Sequence, residues 1–169
     1  MCDQRAWERA VALLNGLNAS LAPAAVARME QLVGDYRDLK SAMAGITSSA
    51  GGSQLCRACG GLCCQNGKYR MSALDAYAHI VSGRPLPSPD FSAGPLCPYG
   101  SSHGCRMEAA FRPASCIQFI CGELAGLLPP GGEAMLEEQE QRLREMEAQS
   151  ERLTGLPLAR PLLLMGEAA

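Results

Sequence analysis

Long apolar runs and aromatic residues are both scarce in this chain. Its 169 residues include one Trp and three Phe, although apolar residues make up 47% of the total. We therefore expect a small and mainly aliphatic core. The longest apolar stretch near the end, PLLLMG, is far too short to cross a bilayer, so the sequence predicts no membrane partner.

An excess of basic charge is also absent. The net charge is −2, which provides no positive field for nucleic acid, and we expect no nucleic-acid partner. The opening segment, MCDQRAWERA, is polar and charged and does not resemble a signal peptide, so the expected location is cytoplasmic. Thiols are kept reduced in that compartment, where clustered cysteines more often bind metal than form disulfides.

Cysteine, in contrast, is abundant, with nine residues in the chain. All but Cys2 fall in two groups: Cys56, Cys59, Cys63 and Cys64, followed by Cys97, Cys105, Cys116 and Cys121. The C-x-x-C turn of the first group directs two thiolates toward one point, and Gly60 and Gly61 after it allow the backbone to turn tightly. Cys2 stands apart, and we expect no role for it.

The adjacent cysteines Cys63 and Cys64 constrain the kind of site. Their Cα atoms are about 3.8 Å apart, and in an extended chain their side chains point to opposite faces. Such a pair reaches one metal only with an unusual bend, whereas it reaches two centres, or two metals of one cluster, more easily. Eight thiolates also suffice for two four-ligand sites. The sequence therefore predicts that all eight clustered cysteines direct their sulfur atoms to one or two compact metal centres.

Other uses of clustered cysteines fit the sequence less well. A disulfide framework requires an oxidising compartment and a signal peptide. A thioredoxin-like redox pair requires a βαβ setting, which the pattern around C-x-x-C lacks. No nucleophile–base pair, Gly-rich phosphate loop or paired acidic site stands out, so the sequence leaves open whether the protein is an enzyme.

The two histidines differ in their expected roles. His79 falls in a predicted helix after the first cysteine group and is expected to be a partly buried core residue. His103, beside Gly104 and Cys105, is a candidate additional metal ligand.

Helical periodicity marks the segments on either side of the cysteines. Apolar residues step by three and four along 22–46, and a similar seam with two polar interruptions runs along 133–154. Both segments are predicted to be helices that pack antiparallel, because a compact module joins them. The residues expected to be buried on the first of these helices are Met29, Leu32, Tyr36 and Leu39.

The expected fold is mainly α, with long helices flanking a small, irregular, cysteine-rich metal-binding module. Within the module, SALD forms a capping box that predicts a helix over 73–81, and Pro113 is expected at the first position of another helix. SSAGGS at 48–53 is expected to be a flexible break. The predicted divisions are an N-terminal helical arm (1–54), the cysteine module (55–123), and a C-terminal helical arm and tail (124–169).

Basic residues are enriched around the cysteines. Residues 55–122 contain six Lys and Arg against three Asp and Glu, a net charge of +3, whereas the rest of the chain carries −5. A four-thiolate zinc site carries a formal charge of about −2, so nearby cations would offset two such sites. Ordinary surface placement explains each of these charges equally well.

A family resemblance follows from the order of these motifs. They are Cys56-x2-Cys59-x3-Cys63-Cys64, a helix with Asp75, Cys97-Pro98-Tyr99, Gly104-Cys105, Arg112-Pro113-x2-Cys116 and Cys121. Together they resemble the YkgJ-type cysteine-cluster family, which is described as a zinc- or iron-chelating domain. The resemblance covers about residues 55–122, and it departs from the family at Arg106-Met107, where members usually have an aromatic residue. Larger relatives are linked to lysine methylation of flagellin, which implies an iron–sulfur alternative.

The sequence thus predicts a metal-binding protein with largely structural centres, holding one or two zinc ions. The first alternative is iron or an iron–sulfur cluster acting in protein modification or electron transfer. The second is a helical adaptor that binds a protein partner, or forms a homodimer, through its helical arms. Zinc is d¹⁰ and colourless, whereas iron–sulfur proteins are brown. The colour of the protein therefore distinguishes the zinc hypothesis from the iron–sulfur hypothesis.

Overall fold

The computed structural model describes residues 2–59, 64, 67–94, 96–101 and 104–167. Over these residues the fold is mainly α, as the sequence predicts, with one two-stranded ribbon. The helices are α1 (Cys2–Ser20), α2 (Pro23–Ser49), α3 (Gly52–Ala58), α4 (Ala73–Val81), α5 (Ala114–Gln118), α6 (Gly122–Ala125), α7 (Gly132–Thr154) and α8 (Leu162–Glu167). Strands β1 (Gly100–Ser101) and β2 (Gly104–Cys105) pair antiparallel. No helix of this described part is long and apolar enough to cross a membrane.

The two long helices α2 and α7 pack against each other. Met43 and Leu136 border the same groove, and Tyr36 lies near enough to Glu147 for the two side chains to affect each other's pKa. The chain therefore runs in opposite directions along the two helices, which confirms the predicted antiparallel arrangement. The predicted burial is also confirmed, because Met29, Leu32, Tyr36 and Leu39 are all at most 5% exposed.

Helix α4 is fixed at its N-terminus by both the predicted capping box and the C-terminal segment. Ser72 Oγ accepts a hydrogen bond from the Asp75 amide, and the Asp75 carboxylate accepts one from the Ser72 amide. The amides of Ala73 and Leu74 donate to the carbonyls of Arg160 and Leu158, at 2.9 and 2.8 Å. Amides that a helix start normally leaves unpaired are thus satisfied by the tail.

The tail also packs closely against the N-terminal helix. A Cβ atom at Gly166 would lie 1.7 Å from the carbonyl oxygen of Ala6, so only glycine allows α8 to approach α1 this closely. Arg9 Nε donates a hydrogen bond to the Gly166 carbonyl over 2.7 Å. The C-terminal segment is therefore part of the core packing.

One hydrophobic cluster draws on every part of the chain. It includes Leu14 of α1, Tyr36 of α2, Tyr77 of α4, Ile117 of α5 and Leu143 of α7. The cysteine-rich segment consequently packs against both helical arms.

Two local expectations are corrected by the structure. The flexible break expected at 48–53 is shorter, because Gly51 turns the chain with a φ of 82° and α3 begins at Gly52. Cys56 therefore lies on a helix that the local sequence pattern does not predict. Pro113 is the N-cap of α5, one residue before the position expected, and α5 ends already at Gln118.

Candidate metal centre

The cysteines occupy the ends and turns of short elements. Cys56 lies in α3 and Cys59 caps its C-terminus, Cys105 ends β2, Cys116 lies in α5, and Cys121 caps the N-terminus of α6. Several predicted positions lie outside the described residues: Cys63, His103, Gly60 and Gly61. Helix α1 begins at Cys2, whose side chain also lies outside the description.

Backbone groups lie around the sulfur atoms of Cys97 and Cys105. A tight turn follows Cys97, in which the Gly100 amide donates to the Cys97 carbonyl over 2.9 Å. Cys97 Sγ lies 3.9 Å from the Gly67 carbonyl oxygen. The Met107 amide donates to Cys105 Sγ over 3.5 Å. An amide in this position can also donate to a thiolate, which is the form that binds metal.

Three thiols of the second group lie near one another. Cys97, Cys105 and Cys116 are close enough that a thiolate at one raises the pKa of another. Desolvation by burial has a larger effect than these neighbouring thiolates, and it raises the pKa of Cys97. Although the Cys116 side chain reaches solvent, protein fills most of the space around it, and this desolvation raises the pKa of its thiol to about 12. Without a bound cation, the thiols of Cys97 and Cys116 therefore stay protonated at neutral pH.

Two arginines offset part of this effect. Arg70 lowers the pKa of both Cys97 and Cys116, and Arg106 lowers that of Cys97. Arg84 instead pairs with Glu108, at 3.1 Å, on the surface. Composition alone could not separate the arginines that face thiols from ordinary surface charges, because pairing depends on the folded chain.

A glycine joins the two cysteine groups. Gly67, three residues after Cys64, lies directly against Cys97, and a Cβ atom there would be 2.6 Å from Cys97 Cβ and 2.9 Å from its sulfur. The end of the first cysteine segment is therefore in contact with the first cysteine of the second group.

Cys59 makes a local contact instead. Cys59 Sγ lies 3.4 Å from the carbonyl oxygen of Cys56, within its own turn. In this part of the chain, no three His, Cys, Asp or Glu side chains lie close enough together to hold a metal ion. Convergence of all eight sulfur atoms thus stays a prediction. Cys59, Cys97, Cys105, Cys116 and Cys121 are free thiols, so none of these five forms a disulfide.

A buried charged cluster next to the thiols was not found from the sequence. The Asp75 carboxylate accepts hydrogen bonds from Lys40 Nζ at 2.8 Å, Tyr36 Oη at 3.2 Å and the Ala114 amide at 3.2 Å. Asp75 is also close enough to raise the pKa of Cys116. The sequence does contain an indication that Lys40 is buried. Lys40 lies four residues after Tyr36 and three before Met43, on the apolar seam of α2.

His79 is a core residue, as expected. It is 4% exposed, its ring centroid lies 4.6 Å from that of Phe111, and its Nδ1 is 3.2 Å from the Pro85 carbonyl oxygen. Desolvation lowers the pKa of this imidazole, which keeps it neutral at physiological pH.

Comparison with known proteins identified no relative: no family model matches the sequence, and no curated protein or solved structure matches it. The resemblance to the YkgJ-type family therefore depends on the order and spacing of the motifs alone.

Proposed function

We propose that this chain is a metal-binding protein whose centres are mainly structural and hold one or two zinc ions. The observation that supports this proposal is the grouping of Cys97, Cys105 and Cys116, with a backbone amide donating to Cys105 Sγ. The proposed metal ligands are drawn from the eight clustered cysteines: Cys56, Cys59, Cys63, Cys64, Cys97, Cys105, Cys116 and Cys121.

The donor set fits zinc chemically. Zinc in structural sites is bound by four Cys or His ligands, and it deprotonates a coordinating thiol outright. The raised pKa values of Cys97 and Cys116 are then no obstacle, because the ion replaces their protons. Arg70 and Arg106 would partly neutralise the negative charge that several thiolates bring together.

Folding and metal binding are coupled in this proposal. Where the structure describes the segment between α3 and α6, it consists of short helices, one small ribbon and irregular chain. A complete ligand set is rarely present before the metal binds, and a structural zinc site contributes on the order of 10 kcal/mol. Convergence of the described thiols with Cys63 on an ion would therefore complete the module.

The decisive experiment is metal analysis of the protein purified without oxygen. We expect one or two zinc ions per chain, a colourless solution, and loss of at least one ion in Cys97→Ser or Cys105→Ser. Cys2→Ser is the matched control and should keep the full metal content. Brown protein containing iron and acid-labile sulfide would favour the iron–sulfur alternative, and the absence of any stoichiometric metal would reject both.

A further inference from the structure

A groove with an apolar floor lies where the cysteine module meets the helical arms. It has a volume of about 280 Å³ and is formed between α2, α5, α6 and α7. Met43, Ile117, Ile120 and Leu136 supply apolar side chains to it. Met43, Ile117 and Leu136 belong to the buried core, so the groove extends from the surface to core side chains.

One wall of this groove is acidic. Glu133, Glu137 and Glu140 line it from α7, where their spacing of four and three residues places them on one face of the helix. Glu140 pairs with Arg144, whereas neither Glu133 nor Glu137 forms an ion pair within the part of the chain that the structure describes. Gln118 and Ala125 complete the lining, so none of the described residues that line the groove is a cation.

Helix stabilisation accounts for only part of this pattern. Glu133 lies in the first turn of α7, where a carboxylate interacts favourably with the helix dipole. Glu137 is one turn further on, where that effect has faded, and it gains no partner along the helix. Two unpaired carboxylates beside an apolar floor are complementary to a partner that carries both positive charge and apolar side chains.

We propose that this groove binds an amphipathic, basic helix from a protein partner. Its apolar face would contact Ile120 and Leu136, and Lys or Arg side chains along its edge would pair with Glu133 and Glu137. Apolar anchors at helical spacing, laid into a groove between helices, are a recurring mode of peptide recognition. Ile120, which precedes Cys121 in the chain, lines the groove, so a bound partner would contact the cysteine module. Its binding does not depend on the identity of the metal.

The test uses the full-length, metal-loaded protein and a fluorescein-labelled helical peptide of about 14 Leu and Lys residues with Leu along one face. Fluorescence anisotropy measures its affinity. The double variant E133Q/E137Q should weaken binding about fivefold or more, whereas the control E138Q/E145Q, which changes net charge equally at exposed positions outside the groove, should weaken it less than about twofold. Ala125→Lys, which places a bulky cation in the groove, should abolish saturable binding.

Three results would overturn the proposal. Equal weakening in both double variants would mean attraction to the net charge alone, and equal affinity for a peptide with Glu in place of Lys would mean non-specific apolar adhesion. A homodimer in sedimentation analysis that dissociates in Ala125→Lys would assign the groove to a second copy of this chain. Circular dichroism and metal content identify any variant that fails to fold, and the conservative Gln variants keep the test decisive if Ala125→Lys does fail.

Discussion

Lys40 Nζ lies 2.8 Å from Asp75 Oδ1, and both side chains are almost completely buried. Lys40 Nζ also donates to the Arg112 carbonyl at 2.8 Å, while Asp75 accepts a hydrogen bond from the Ala114 amide at the start of α5. One ion pair therefore joins the long helix α2, the N-terminus of α4 and the turn that leads to Cys116. It fixes the N-terminal arm to the cysteine module.

Removing the lysine from this pair should be costly. Lys40→Met leaves the buried Asp75 carboxylate without its counter-ion, and we expect the free energy of unfolding to fall by about 3 kcal/mol. Lys68→Met is the matched control, because Lys68 forms a 2.8 Å pair with Asp3 but is 40% exposed, and it should cost less than about 1 kcal/mol. Urea unfolding of both variants measures the difference, and similar losses would show that burial does not strengthen the Lys40 pair.

Glu147 should make stability depend on pH. Desolvation, followed by the charge of Asp75, raises the pKa of this partly buried carboxyl from 4.5 to about 7, although Tyr36 and Lys40 act in the opposite direction. The folded state therefore holds this proton more tightly than the unfolded state does. The contribution of Glu147 to stability is largest below pH 4.5, falls as the pH rises to about 7, and is constant above that.

Glu147→Gln tests this dependence. The variant should be more stable than the wild type at pH 8, by on the order of 1 kcal/mol after solvent screening, and nearly equal to it at pH 5. Glu145→Gln, at an exposed position on the same helix, should change stability little at either pH. Urea unfolding at the two pH values gives the comparison, and a variant less stable than the wild type at pH 8 would contradict the assignment.

Gly67→Ala should separate the two cysteine groups. The added methyl would meet Cys97 Cβ at 2.6 Å, so either the turn at Gly67 or the segment around Cys97 has to move. We expect a loss of about 1–3 kcal/mol in stability, as for other overpacked sites, together with reduced zinc content. Gly94→Ala is the control, since nothing lies within 4 Å of a Cβ atom there. Unchanged metal content in Gly67→Ala would show that this contact does not hold the groups together.

Chelation should unfold the module but not the arms. Without metal, the segments that carry the cysteines should lose their shape, whereas α2, α4 and α7 retain their shared core. Limited proteolysis under reducing conditions should then cut within 55–123, while circular dichroism keeps most of its helical signal. Cys63→Ser and Cys64→Ser should increase cleavage more than Cys2→Ser does. If apo and holo proteins resist protease equally, metal is not the scaffold.

Local patterns in the sequence predicted the regular elements well. The helix over 73–81 has the predicted bounds because Ser72 and Asp75 satisfy each other's amides within four residues. The antiparallel packing of α2 and α7 followed from their apolar seams and the module between them. The tail was less well predicted, since its contacts with α1 and α4 join residues far apart in the chain.

The sequence by itself determined the helical arms, the capping box and the supply of eight clustered thiols, because periodicity, capping and spacing act over a few residues. Only the tertiary structure decided which thiols lie near Cys97, which arginines face them, and that Lys40 is buried against Asp75. Those relationships depend on packing between segments that are 30 or more residues apart, such as Gly67 against Cys97 and Lys40 against Asp75. A buried charge is stable only where a distant partner meets it, and no local pattern specifies that partner.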